Sequence, residues 1–138
     1  MDPLISPQVN AVLQIIILVL LLVGFGIKRR QKHVLHGITM LAAVTLNLLS
    51  FVLIMFPSLI RMEIISTQPL YTISIATLIH SAIGMVVIIL GIWLVSVWRL
   101  QSNLKNCFRN KKLMRLTTAM WLSALLIGFL LYSLLYVY

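Results

Sequence analysis

Four long apolar runs, separated by short polar segments, constrain this chain more than any other feature. They extend over about residues 9–27, 34–56, 72–98 and 116–137. An α-helix rises about 1.5 Å per residue, so about 20 apolar residues cross the roughly 30 Å hydrocarbon core of a bilayer. The sequence therefore predicts an all-α integral membrane protein, a four-helix bundle that forms a single transmembrane domain over residues 1–138.

The composition agrees with this prediction. The 138-residue chain is 62% hydrophobic and 9% charged, whereas about a quarter of the residues in a soluble domain are charged. The net charge of +9 raises the alternative of a nucleic-acid binder, which carries its basic face on a folded, water-soluble surface. Here the positive charge falls in short loops between apolar runs. We therefore expect a lipid bilayer around the chain and no nucleic acid as a partner.

Two basic loops predict the orientation of the chain in the membrane. Loops 28–33 and 99–115 contain all of the Lys and Arg residues except Arg61. These residues are Lys28, Arg29, Arg30, Lys32, Arg99, Lys105, Arg109, Lys111, Lys112 and Arg115. Because Lys and Arg near span ends remain in the cytoplasm, we predict a multi-pass plasma-membrane protein with both basic loops inside. Its N-terminus and C-terminus are then outside.

Few polar groups lie within the apolar runs, and these are the candidates for function. Ionisable or strongly polar groups inside a membrane are costly and mark functional sites by default. The candidates are Gln14, His36, Asn47 and His80. No run contains a carboxylate, and the chain has no glycine-rich phosphate loop, no CxxC motif and no recognisable nucleophile–base pair. The sequence therefore predicts no enzymatic activity and argues against transport through a carboxylate relay.

Two histidines on neighbouring spans raise the alternative of bis-imidazole haem ligation, as in four-helix membrane cytochromes b. The predicted topology places His36 near the inner surface and His80 about 12 Å below the outer one, roughly 15–20 Å apart along the membrane normal. Two nitrogen ligands of one iron must lie about 4 Å apart. One haem held by both histidines is therefore disfavoured, and either would need a further ligand from a partner.

Each histidine also has a structural interpretation. Asn47 is expected at about the depth of His80, so we predict a hydrogen bond between them that fixes helix register. Ser81 and Thr77 are the alternative partners. Such bonds contribute about 0.6–2 kcal/mol in membranes. The corresponding interpretation of His36 is an interfacial residue beside the first basic loop.

Small residues on the third and fourth spans predict where helices approach closely, since small side chains let helix backbones meet in a membrane. These packing positions are Gly84, Gly91, Ala124 and Gly128. On the first span, Asn10 and Gln14 share a face near the outer end because they are four residues apart.

Seven methionines raise the alternative of a copper(I) site, because soft thioethers suit that ion. Met55 and Met62 come closest to a cluster, but no M-x-x-M spacing or pair of cysteines accompanies them. Methionine more often fills gaps in apolar cores. We therefore expect neither haem nor copper as a resident cofactor.

The last span and the segment before it carry a family resemblance. The pattern R-H-R-R-I-A-R-W-T-x-P-x-W-L, followed by a glycine, is matched at Arg115, Thr117, Trp121, Leu122 and Gly128. The H-x-x-x-M motif at residues 36–40 and the apolar approach to His80 fit as well. Over residues 28–136 the chain resembles a family of small prokaryotic four-span membrane proteins of largely unassigned function, some linked to assembly of haem-copper cytochrome oxidase.

The chain departs from that family in its histidines. Asn110 stands where the family has a loop histidine, and no histidine lies near the outer end of the second span. The resemblance thus implies a conserved scaffold with reduced cofactor chemistry. It implies a non-catalytic accessory subunit or assembly factor of a larger oxidase or monooxygenase complex, with other integral membrane subunits as partners. The alternatives are a haem- or metal-binding membrane protein using His36 or His80, and a small channel or transporter.

Overall fold

The structure, a computed structural model, describes residues 7–57, 60, 71–98 and 111–136. Its helices are α1 (Pro7–Arg29), α2 (His33–Ser50, continued by a π-helical segment, Phe51–Met55), α3 (Tyr71–Trp98) and α4 (Lys111–Tyr136). All four are long and apolar enough to cross a membrane. The predicted all-α four-helix bundle is confirmed, and the chain is a multi-pass membrane protein.

A tight turn joins α1 to α2 and is shorter than the predicted loop. Lys28 and Arg29 belong to the last turn of α1. The amide of Lys32 donates to the carbonyl of Ile27 over 3.4 Å, and that of Gln31 donates to Lys28 over 3.0 Å. With Gln31 at a φ of 59°, these bonds form a Schellman motif, which satisfies the last carbonyls of a helix. Gln31 occupies the position that is usually glycine.

The second basic loop is also shorter than predicted at its far end. Helix α4 begins at Lys111, so Lys111, Lys112 and Arg115 project from its first turns instead of from a loop. Long cationic side chains tolerate this position because their stems can lie along the apolar helix while the charges reach the interface. The remaining basic positions of this loop, Arg99, Lys105 and Arg109, lie outside the described residues.

The helices form two hairpins that close into a ring. Helix α1 packs mainly on α2 and α3 mainly on α4, while α2–α3 and α1–α4 contacts join the hairpins. The core at the centre consists of Ile17, Leu21, Ala43, Val44, Val87, Trp121 and Leu125. Large apolar side chains cover the outside of all four helices, including Leu22, Leu78 and Leu126. A bundle apolar on both its inside and its outside suits a lipid bilayer.

Three of the four predicted packing positions lie at helix contacts. An added Cβ at Gly91 would stand 3.0 Å from Val44 Cγ2, and one at Gly128 would stand 2.9 Å from His80 Cε1. Ala124 is buried. Gly84 differs from the prediction, because a Cβ there would meet nothing within 4 Å. It borders open space between the hairpins rather than a neighbouring backbone.

Candidate functional site: two cavities along the bundle axis

The two hairpins leave two cavities between them, one toward each end of the bundle. The inner cavity, at the end that carries the basic residues, has a volume of about 100 Å³. The outer cavity, at the opposite end, has a volume of about 60 Å³. Trp121 lines both and is only 4% exposed. This indole therefore separates the two cavities.

The outer cavity collects most of the polar side chains that lie within the apolar runs. Gln14, Asn47 and His80 line it, together with Asn10 and Tyr132. The π-helical segment of α2 contributes Phe51 and Met55 to the same wall. Such π-helical turns occur frequently at functional sites. The structure thus brings three of the four candidates from the sequence to one place.

A hydrogen-bonded triad at the outer cavity ties α1 to α2. The Gln14 amide donates to the Ser50 hydroxyl over 3.0 Å, and Ser50 donates to Asn10 Oδ1 over 2.7 Å. Gln14 also lies 3.5 Å from Asn10 Oδ1. The sequence predicted that Asn10 and Gln14 share a face, but it did not point to Ser50, which is 1% exposed. Its position three residues after Asn47, on the same helix face, was the available signal.

We expect Ser50→Ala to lower the free energy of unfolding by about 1 kcal/mol, because interhelical hydrogen bonds in membranes contribute about 0.6–1.7 kcal/mol. The matched control is Ser123→Ala, since that exposed hydroxyl donates only to the carbonyl of Ala119 in its own helix. SDS titration in mixed micelles, followed by far-UV circular dichroism, measures the free energy of unfolding of both variants. Equal losses from the two variants would contradict a role for the triad.

His80 does not make the predicted hydrogen bond to Asn47. Its ring instead lies against Gly128 of α4. Because Gly128 has no side chain, the imidazole has room to lie against α4. His80 Nδ1 is buried without a hydrogen-bond partner among the described residues. His80 therefore links α3 to α4 by packing.

His36 lies at the inner cavity and links the two helices of the first hairpin. Its Nδ1 is 2.8 Å from the carbonyl oxygen of Gly24. Because a carbonyl only accepts, we assign the proton to Nδ1. The inner cavity is also lined by Lys28, His33 and Arg115. This end of the bundle is therefore cationic, unlike the neutral outer cavity.

The geometry does not support one cofactor shared by the two histidines, since His36 and His80 line different cavities on either side of Trp121. Among the described residues, no three His, Cys, Asp or Glu side chains are grouped so as to hold a metal ion. Met55 lines the outer cavity, while Met62 lies outside the described residues.

Comparison of the chain with protein-family models, with curated proteins and with solved structures finds no match in any of the three. The features that bear on function are the cavities, the outer surface of the bundle and the motifs in the sequence. Of these, the outer surface is the largest area that could meet another protein within the membrane.

Proposed function

We propose that this chain is a non-catalytic accessory subunit or assembly factor of a larger membrane oxidase or monooxygenase complex in a prokaryotic plasma membrane. The observation that carries the proposal is a pair of small, exposed residues on the outward face of α4, here called the valley. Ala119 and Ser123 form its floor, and both are exposed. Leu116 and Leu126, exposed by 55% and 71%, flank it along the same face.

Such a valley suits another transmembrane helix. Pairs of small residues four apart let helix backbones approach closely in a membrane, where lipid offers no hydrophobic driving force for association. The Ser123 hydroxyl donates to the Ala119 carbonyl over 2.9 Å, so it would enter an interface with its donor satisfied. The fold does not require small residues here, because the inward face of α4 carries Trp121 and Ala124.

The class of partner is proposed from the family resemblance over residues 28–136. Some members of that family are linked to assembly of haem-copper oxidase. The His36–Gly24 hydrogen bond and the packing of His80 on Gly128 favour a structural use of the histidines over a catalytic one. Both support an accessory role.

The test is gentle detergent extraction from native membranes, followed by a native gel and mass spectrometry of the co-migrating band. The variant Ala119→Leu fills the valley, and Ala82→Leu makes the same change on the outward face of α3, where Ala82 is exposed. We expect Ala119→Leu to reduce the co-migrating partner about ten-fold, which corresponds to about 1.4 kcal/mol. Ala82→Leu should leave it unchanged.

Other results would contradict the proposal. A chain that migrates alone, colourless and free of metal, would point to transport and justify flux assays in vesicles. Retention of the partner by both variants would place the interface elsewhere on the bundle and remove the observation on which the proposal rests.

The second candidate function is a haem- or metal-binding protein that completes its site with a ligand from a partner. The buried and unpartnered Nδ1 of His80 favours it. A Soret band in the purified complex that disappears in His80→Leu would support this candidate. A His80→Leu variant that loses assembly without losing absorbance would support the structural interpretation instead.

A further inference from the structure

Cationic and imidazole groups from three helices converge on the inner cavity. Lys28 comes from the last turn of α1, His33 begins α2, and Arg115 lies in the first turns of α4. The connection from α1 to α2 and the early start of α4 bring Arg115 to the same cavity as Lys28 and His33, although Arg115 is far from both in sequence. The positive-inside rule places this end on the cytoplasmic side.

Among the residues that the structure describes, no carboxylate accompanies the cations at this cavity. The chain contains only two acidic residues, Asp2 and Glu63, and both lie outside the described residues. Lys28 is nevertheless half-buried, whereas its neighbours Arg29 and Arg30 are exposed. Neighbouring cations without a carboxylate beside them repel one another and favour a bound anion. The cavity is therefore complementary to an anion supplied from outside the chain.

The deeper walls of the same cavity are apolar. Met40, Val44 and Trp121 line it, and Val44 and Trp121 belong to the buried core. A free inorganic anion would use only the charged mouth. A ligand with an anionic head and an apolar chain matches both parts, and anionic lipid headgroups bind in basic pockets between transmembrane helices on the cytoplasmic side.

His33 supplies a further polar group at this site. Its Nδ1 is buried and has no hydrogen-bond partner among the described residues. The ring lines the cavity, and an imidazole N–H can donate to a headgroup oxygen there. Arg115 adds the planar fork of donors that matches a phosphate.

We propose that the inner cavity binds an anionic phospholipid of the cytoplasmic leaflet, with its phosphate between Lys28 and Arg115 and its chain against Trp121. The site does not depend on any protein partner, so its test is independent of the proposed function. The full chain, purified and stripped of lipid in a nonionic detergent, is titrated with phosphatidylglycerol or phosphatidylcholine. Native mass spectrometry then counts bound lipid.

The decisive comparison uses two double variants with the same change in net charge. Lys28→Gln with Arg115→Gln removes the cations that line the cavity. Arg29→Gln with Lys112→Gln removes exposed cations next to them, on the same two helices but outside the cavity. We expect the first pair to weaken phosphatidylglycerol binding about ten-fold for each cation, since a charge-assisted hydrogen bond is worth roughly that factor. The second pair should change it less than about two-fold, because Arg29 and Lys112 do not line the cavity.

Three results would overturn the proposal. Equal weakening in both double variants would indicate attraction to the whole basic surface instead of a site. Equal retention of phosphatidylcholine by the unaltered protein would remove the requirement for an anion. Full displacement of phosphatidylglycerol by millimolar inorganic phosphate would identify a free-anion site. If the first double variant does not fold, Arg115→Gln alone, at an exposed position, provides the same comparison against Lys112→Gln.

Discussion

Trp121→Ala is expected to lower the free energy of unfolding by about 3 kcal/mol, the low end of the range for removing a buried aromatic side chain. Two physical terms oppose each other at this residue. The indole is 4% exposed and packs within the central cluster, so its loss removes many contacts. Its Nε1 is buried without a hydrogen-bond partner among the described residues, and removing an unsatisfied donor recovers part of the cost.

Trp121→Ala should also change the cavities in the interior of the bundle. Because Trp121 lines both cavities, we expect the alanine variant to join them into one continuous space. The matched control is Trp93→Ala, which removes the same indole from a site that is 48% exposed and should cost less than about 1 kcal/mol. SDS titration with far-UV circular dichroism compares the two, and a similar loss in both would contradict a central role for Trp121.

The sequence predicted the number of helices and their approximate bounds because hydropathy over about 20 residues is a strong physical signal. The sequence predicted the ends of the helices less accurately. The energetic difference between a cationic last turn and a cationic loop is small, so α1 includes Lys28 and Arg29, and α4 begins at Lys111. Neither hydropathy nor charge marks that boundary.

The partners of the polar residues were harder to predict than their presence. Gln14, Asn47 and His80 were recognised as polar groups within the membrane, and all three line the outer cavity. The predicted hydrogen bond between His80 and Asn47 is absent, however. Depth along the membrane normal does not determine the rotation of each helix about its own axis. Ser50 went unnoticed for a related reason, since a serine within an apolar run often bonds its own helix.

The same limit applies to the small residues. Gly84 and Gly91 lie on one face of α3, two turns apart, and the sequence treats them alike. Val44 of α2 stands against Gly91, whereas Gly84 borders the outer cavity. Only the identity of the facing residue distinguishes a close helix contact from open space, and that identity depends on how α2 is rotated.

Gly91→Leu is expected to lower the free energy of unfolding by about 2–3 kcal/mol, because overpacking a well-filled contact commonly costs 1–3 kcal/mol. Even a Cβ at this position would stand 3.0 Å from Val44 Cγ2. Val44 is β-branched and buried, so it has few other rotamers that would relieve this contact. The larger leucine must therefore push α2 and α3 apart where the two hairpins meet.

Gly84→Leu is the matched control, with the same residue change on the same face of the same helix. A side chain there enters the outer cavity without meeting an atom within 4 Å of its Cβ, and replacing glycine in a helix gains up to about 1 kcal/mol. We therefore expect no loss of stability, or a small gain. The comparison is made by SDS titration on both variants. If Gly84→Leu were as damaging as Gly91→Leu, the space beside Gly84 would be closed and the outer cavity would not exist as described. If neither had an effect, the α2–α3 contact at Val44 would contribute little to holding the hairpins together.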